Sequence, residues 1–107
     1  MQKITLTVMD RLQINSVLPK TGGFIDMELA GGIKTKVQFS SKEIGEYELK
    51  DSNEGSITWN MQKAVPRAFS FEDVEIALLK KGADLLDKSQ MITEGNLPLV
   101  KTLKGLS

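Results

Sequence analysis

Phe69-Ser70-Phe71-Glu72-Asp73-Val74-Glu75-Ile76-Ala77-Leu78-Leu79-Lys80-Lys81-Gly82-Ala83-Asp84-Leu85-Leu86-Asp87-Lys88-Ser89-Gln90-Met91 is the longest periodic run in the chain, and the fold turns on its reading. Val74, Ala77, Leu78, Lys81, Leu85 and Leu86 recur at spacings of three and four, which lays one stripe along a helix. Ser70 with Asp73 three residues on has the shape of a capping box. Glu72, Asp73 and Glu75 put negative charge where the helix dipole favours it, each by about 0.3–1 kcal/mol. Lys80, Asp84, Asp87 and Lys88 form the polar face, with Lys80 and Asp84 as an i,i+4 pair. Ile76 and Leu79 fall outside the stripe and widen the apolar arc, so the helix is either buried on more than one side or keeps a second surface for a partner. Gly82 interrupts it at about 1 kcal/mol relative to Ala, which reads as a weak point or a close helix contact, with a ligand approaching the backbone as the alternative.

Working outward, the residues just before the helix, Arg67 to Phe71, suit a strand. Further upstream, Glu46 to Lys50 alternates with Tyr47 and Leu49 inward, and Ser56 to Asn60 alternates with Ile57 and Trp59 inward. The turn-rich Asp51-Ser52-Asn53-Glu54-Gly55 joins them, so the pair reads as a β-hairpin with Tyr47 and Trp59 as cross-strand neighbours. Ser40-Ser41-Lys42-Glu43 is a capping signature for a short helical turn ending near Gly45. Between Phe24 and Val37 two readings stand: a helix over Asp26–Lys36, from the four-residue recurrence of Ile25, Leu29, Ile33 and Val37, or a hairpin turned at Gly31-Gly32. At the amino end, Lys3 to Thr7 alternates as a short strand, and Thr7 with Asp10 caps a helix from Val8 to Val17. Gly22-Gly23 then offers a reversal at positive φ. Downstream, Asn96 caps a last helix with Val100 and Leu103 inward, and residues 104–107 are expected to fray. The expectation is a single α+β domain over 1–107: a small antiparallel sheet, made of the hairpin 46–60 plus a strand near 67–71, packed against a long helix at 72–90 and shorter helices.

Composition excludes more than it assigns. A chain of 107 residues with 14 basic and 14 acidic side chains carries no surplus of cations, which argues against general nucleic-acid or anionic-membrane affinity. Cysteine and histidine are absent, closing disulfides, thiolate nucleophiles, zinc sites built on those ligands, and Ser-His or Cys-His catalysis. No cofactor is implied. No stretch approaches the ~20 apolar residues of a membrane span, and the start lacks the apolar core of a signal peptide, so a cytosolic location is expected.

Acid-base or magnesium chemistry would need paired carboxylates, and Glu46 with Glu48, Glu72 with Asp73, and Asp84 with Asp87 are the pairs on offer, the first and last on outer faces. For ligand binding, Arg11 and Arg67 are the only arginines and the first candidates to grip a phosphate bidentately, each read otherwise as solvated or ion-paired within the chain. Tyr47 and Trp59 form either a core pair or a stacking platform, the latter needing a cation from Arg67 or Lys63.

The order of Ile4-Thr5-Leu6, Asp10-Arg11-Leu12, Val17-Leu18-Pro19-Lys20, Gly23-Phe24, Phe39-Ser40, Glu46-Tyr47-Glu48-Leu49-Lys50, Ile57-Thr58-Trp59-Asn60, Leu78-Leu79-Lys80-Lys81, Leu86-Asp87-Lys88 and Ile92-Thr93-Glu94 resembles that of a group of small proteins encoded by bacteriophages and prophages, with Ala30-Gly31-Gly32 as a departure. The resemblance implies a phage-encoded protein of the host cell cytoplasm and no particular activity. With the missing catalytic groups and the wide arc of the long helix, it leads to a non-enzymatic binding protein, a homo-oligomer, that interferes with a host defence system by binding a host protein or sequestering a small nucleotide signal. A structural or assembly protein of the phage particle is the alternative, and a carboxylate-dependent metalloenzyme the third.

Overall fold

Strand β1 (Gln2–Leu6) and strand β4 (Arg67–Phe71) pair antiparallel, with Ile4 opposite Phe69 and Leu6 opposite Arg67. The computed structural model describes residues 2–51 and 57–106. Alternation does the sorting: Ile4, Leu6, Phe69 and Phe71 enter the core, while Lys3, Thr5 and Ala68 face solvent. The strand at 67–71 therefore joins the amino-terminal strand and not the hairpin, which gives two separate two-stranded antiparallel sheets in an α+β fold.

Thr7 caps helix α1 (Val8–Gln13) through a capping box with Asp10, as the sequence predicts. The helix is shorter than Val8–Val17 because it tightens into a 3-10 turn at Ile14–Ser16. Neither Gly22 nor Gly23 takes a positive φ; Gly23 is the N-cap of helix α2 (Phe24–Val37) at φ −70°. The helical reading of this segment holds and the hairpin reading fails: Gly31 and Gly32 sit on its solvent side while Ala30, Ile33 and Val37 are buried. Helix α3 (Ser41–Glu46) starts with the expected box, Ser40 with Glu43.

The strand expected at 46–50 is replaced by the end of that helix. Tyr47 is its C-cap, Glu48 turns the chain at φ 55°, and the Leu49 and Glu48 amides donate to Ile44 and Gly45. This is a Schellman motif with no glycine at the left-handed position. Among the described residues of this stretch, Lys50–Asp51 (β2) and Ile57–Thr58 (β3) pair, in the register Lys50 with Thr58, so Tyr47 and Trp59 are not cross-strand neighbours and Ile57 is exposed. Residues 52–56, on which most of the expected turn falls, lie outside the described residues.

Helix α4 (Asp73–Lys88) is where expected, with Leu78 and Leu86 of its expected stripe in or against the core and the rest of the stripe turned outward. Ile76, Leu78, Leu79 and Ala83 are buried, whereas Val74 and Leu85 from the predicted stripe are more than half exposed and Ala77 and Lys81 face out. Its N-cap is Glu72, boxed with Glu75, because Ser70 belongs to the preceding strand. Lys80 donates to the Leu106 carbonyl and forms no pair with Asp84. Gly82 is a close contact: a Cβ there would stand 1.7 Å from the Val17 carbonyl oxygen. Helix α5 (Leu97–Lys104) buries Val100 and Leu103 as predicted, along with Leu99. Asn96 precedes it without a side-chain cap, its amide oxygen accepting instead from the Thr93 backbone. Leu106 packs on the core, so the tail is anchored at least that far. No helix among the described residues is long and apolar enough to cross a membrane.

Candidate functional site

Of the five residues singled out for binding, two are interior. The Arg11 side chain is 1% exposed. Its Nε donates to the Val37 carbonyl at 2.9 Å, Nη2 to the Gln38 carbonyl at 3.0 Å, and Nη1 and Nη2 grip Glu43 at 2.6 and 3.1 Å. The guanidinium stacks on Phe39 at 3.9 Å and lies 5.0 Å from the Phe69 ring centre. The bidentate grip expected of Arg11 exists, but its anion is Glu43 of the same chain, and the arginine ties α1 to the end of α2 and the start of α3. Hydrogen bonding from Arg11 chiefly, then the Ser40 amide and the charges of Arg11 and Arg67, outweighs burial and holds the Glu43 carboxyl down at about 2. Tyr47 is buried beneath the α3 corner.

Of the other three, Trp59 and Lys63 lie in the loop at 59–66 and Arg67 opens β4, where its guanidinium lies 5.3 Å from the Phe69 ring centre and not over Trp59. Asn60 builds the loop: its amide donates to the Tyr47 carbonyl at 2.8 Å, its carbonyl accepts from the Lys63 and Ala64 amides, and its side-chain oxygen accepts from Gln62. The Asn60 side-chain nitrogen donates to Glu48 at 2.6 Å, and Lys63 stands 3.7 Å from the same carboxylate. These two partners, Asn60 first, hold the Glu48 carboxyl below its ordinary value. The left-handed corner at Glu48 thus aims the carboxylate that pins the loop. Arg67 leaves it toward Glu43, 3.5 Å away, with its side chain 56% exposed.

With its backbone so fixed, the loop presents hydrocarbon to solvent. Met61 is 81% and Val65 57% exposed. Together with half-buried Trp59 and Met9, exposed Pro66 and buried Val8 they line a cleft of about 280 Å³ whose lining carries one side-chain hydroxyl, that of Thr7. Sequence reasoning missed Met61, Val65 and Pro66. The signal was there: an apolar residue every few positions in a stretch, 59–66, that fits neither helix nor strand.

The carboxylate pairs do not converge. Glu46 lies 3.8 Å from Lys42 while Glu48 serves the loop; Glu72 and Glu75 cap α4; Asp84 and Asp87 both meet Lys104, whose ammonium is pushed up chiefly by Asp87. Among the described residues no three Asp or Glu side chains group as metal ligands. Compared with known proteins, the chain matches no family model, no curated protein and no solved structure.

Proposed function

We propose that this chain is a non-enzymatic binding protein that works by covering an apolar site on a partner protein, with the loop at 59–66 as its contact surface. The observation that carries this reading is the exposure of Met61 and Val65 on a backbone hydrogen-bonded in place by Asn60. A large apolar side chain on a fixed loop binds with little ordering cost, and Trp and Met are well suited to such contacts, the first as a rigid anchor and the second as an adaptable filler. Exposed Lys63 within the loop and Arg67 just after it in sequence suit a partner segment that carries carboxylates beside its apolar residues.

Following the resemblance, the protein is phage-encoded, the partner is a host protein in the host cell cytoplasm, and the outcome is interference with a host system such as defence. Sequestration of a nucleotide has less support, because the donors of Arg11 are engaged within the chain and the cleft beside Trp59 offers a phosphate no side-chain donor beyond Thr7 and the indole. The exposed row Val74, Ala77 and Leu85 along one side of α4 supports self-association.

The test compares the tagged wild type with Met61→Glu/Val65→Glu in affinity capture from bacterial cells, followed by reconstitution with the purified captured protein. Both substitutions sit on exposed positions and leave the melting temperature within a few degrees of wild type. The expected result is a stoichiometric complex that the double variant weakens at least tenfold. Equal affinity of the two proteins for the partner refutes the reading, and a fixed copy number in purified phage particles would favour the assembly role instead.

A further inference from the structure

A second concave surface lies away from the 59–66 loop, where the chain leaving the 3-10 turn crosses α4. Val17, Leu18, Pro19, Leu78, Leu85 and Leu86 wall a cleft of about 230 Å³. Its base is fixed by the Gly82 backbone against the Val17 carbonyl, a contact with no room for even a methyl group. That volume is just below the roughly 300 Å³ where ordinary small-molecule pockets begin, so it suits a compact ligand. Two charges of opposite sign border the apolar walls: Asp26 from the first turn of α2 and Lys81 from α4. Among the described residues neither makes a hydrogen bond or an ion pair with another side chain. Asp26 is half-buried there, so an ammonium that met it would gain more than one meeting an open surface carboxylate.

We propose that this cleft binds a compact zwitterion with an apolar body, of which a free apolar α-amino acid is the simplest. The apolar side chain occupies the space between Val17, Leu18, Leu78 and Leu86, the ammonium faces Asp26, and the carboxylate faces Lys81. Polar groups of fixed sign around an apolar pocket supply orientation and selectivity, while the hydrocarbon supplies most of the affinity.

The probes are L-phenylalanine, phenethylamine and 3-phenylpropionate, titrated into the 15N-labelled full chain and followed by amide chemical shifts. Saturable shifts from L-phenylalanine, centred on residues 17–18, 82 and 89–91, are expected, with each single-charge analogue at least fivefold weaker. Asp26→Asn then weakens L-phenylalanine and phenethylamine but not 3-phenylpropionate, and Lys81→Gln does the reverse. Lys81 is exposed, so its variant reports on binding even if Asp26→Asn perturbs α2. No saturable shift from any probe, or equal affinity for all three, overturns the proposal: the first leaves no site, the second an apolar cleft without charge recognition.

Discussion

Gly82→Ala should be strongly destabilising although it replaces the second-worst helix former with the best. In an open helix interior this exchange gains about 1 kcal/mol. At position 82 the new methyl would lie 1.7 Å from the Val17 oxygen and 2.7 Å from its carbonyl carbon, so backbone must move by more than an ångström. Neither neighbour is free to yield: Val17 is 2% exposed, and Leu79 and Ala83 on either side of Gly82 are fully buried. Overpacking of this kind typically costs about 1–3 kcal/mol, and a clash with main chain belongs at or beyond the upper end. After the propensity gain, a net loss of roughly 2 kcal/mol remains, a fall in melting temperature of about 10 °C for a chain of this size. Gly31→Ala and Gly32→Ala are the internal controls. Both glycines are helical with nothing within 4 Å of the added carbon, so each should gain about 0.5–1 kcal/mol. Urea unfolding followed by circular dichroism measures all three. If Gly82→Ala proves as stable as the α2 variants, the close approach of α4 to the 3-10 turn is not what holds that face together.

Further outcomes follow from the same contacts. Glu43 belongs to the groups whose folded pKa is depressed: its stabilisation is complete above the unfolded value of 4.5 and fades as pH falls toward about 2, amounting to roughly 3 kcal/mol. Urea midpoints measured from pH 7 to pH 2 should show that loss, and Glu43→Gln, which leaves the buried Arg11 without its anion, should cost about 3–5 kcal/mol at pH 7 and flatten the acid limb. Glu75→Ala should cost about 0.5–2 kcal/mol by removing the carboxylate that accepts from the Glu72 amide at the start of α4, while Ser70→Ala stays within about 0.5 kcal/mol; equal effects would return the cap to Ser70. Gln90→Gly should raise stability by up to about 1 kcal/mol, since Gln90 sits at φ 57° in a Schellman motif, its amide and that of Met91 donating to Asp87 and Leu86. Val74→Glu with Leu85→Glu should shift sedimentation toward the monomer with the melting temperature unchanged; an unaltered sedimentation coefficient in an oligomeric wild type would place the subunit contact elsewhere.

Some local signals were legible because the deciding atoms were near in sequence. Thr7 with Asp10 and Ser40 with Glu43 are boxes spanning four residues, and both formed, whereas the equally local Ser70 with Asp73 did not, because Ser70 was taken up by the strand. The strands at 2–6 and 67–71 were readable from alternation, but their partnership spans some sixty positions and no local pattern encodes it. The hairpin formed, between Lys50–Asp51 and Ile57–Thr58, but its first strand was read too long for a different reason. Glu46-Tyr47-Glu48-Leu49-Lys50 alternates like a strand, yet the segment is a helix end whose left-handed residue is glutamate, and without a glycine the stop leaves no mark in the sequence. Tyr47 was rightly placed inside, on the wrong element. Arg11 and Arg67 were separated by nothing in the sequence: one is closed in by residues 26 and 32 positions away, the other is open, and only the fold decides.

The misreading of α4 carries the most information about function. The expected stripe runs through Val74, Ala77, Leu78, Lys81, Leu85 and Leu86, with Ile76 and Leu79 widening the apolar arc. The structure buries Leu78 and packs Leu86 on the core but centres the burial on Ile76, Leu79 and Ala83, since Leu79 and Ala83 lie a helical turn apart beside Gly82, where the 3-10 turn approaches. The core therefore takes the side that contains the glycine's neighbours, and Val74, Ala77 and Leu85 are left in water. Folding of this chain alone gives no reason for valine and leucine at exposed positions 74 and 85, where lysine or glutamate would serve the helix as well. Scattered singly, exposed apolar residues mean little, but these lie in one row beside the cleft that Leu85 also walls. The proposed self-association assigns this row to the contact between copies, which Val74→Glu with Leu85→Glu tests.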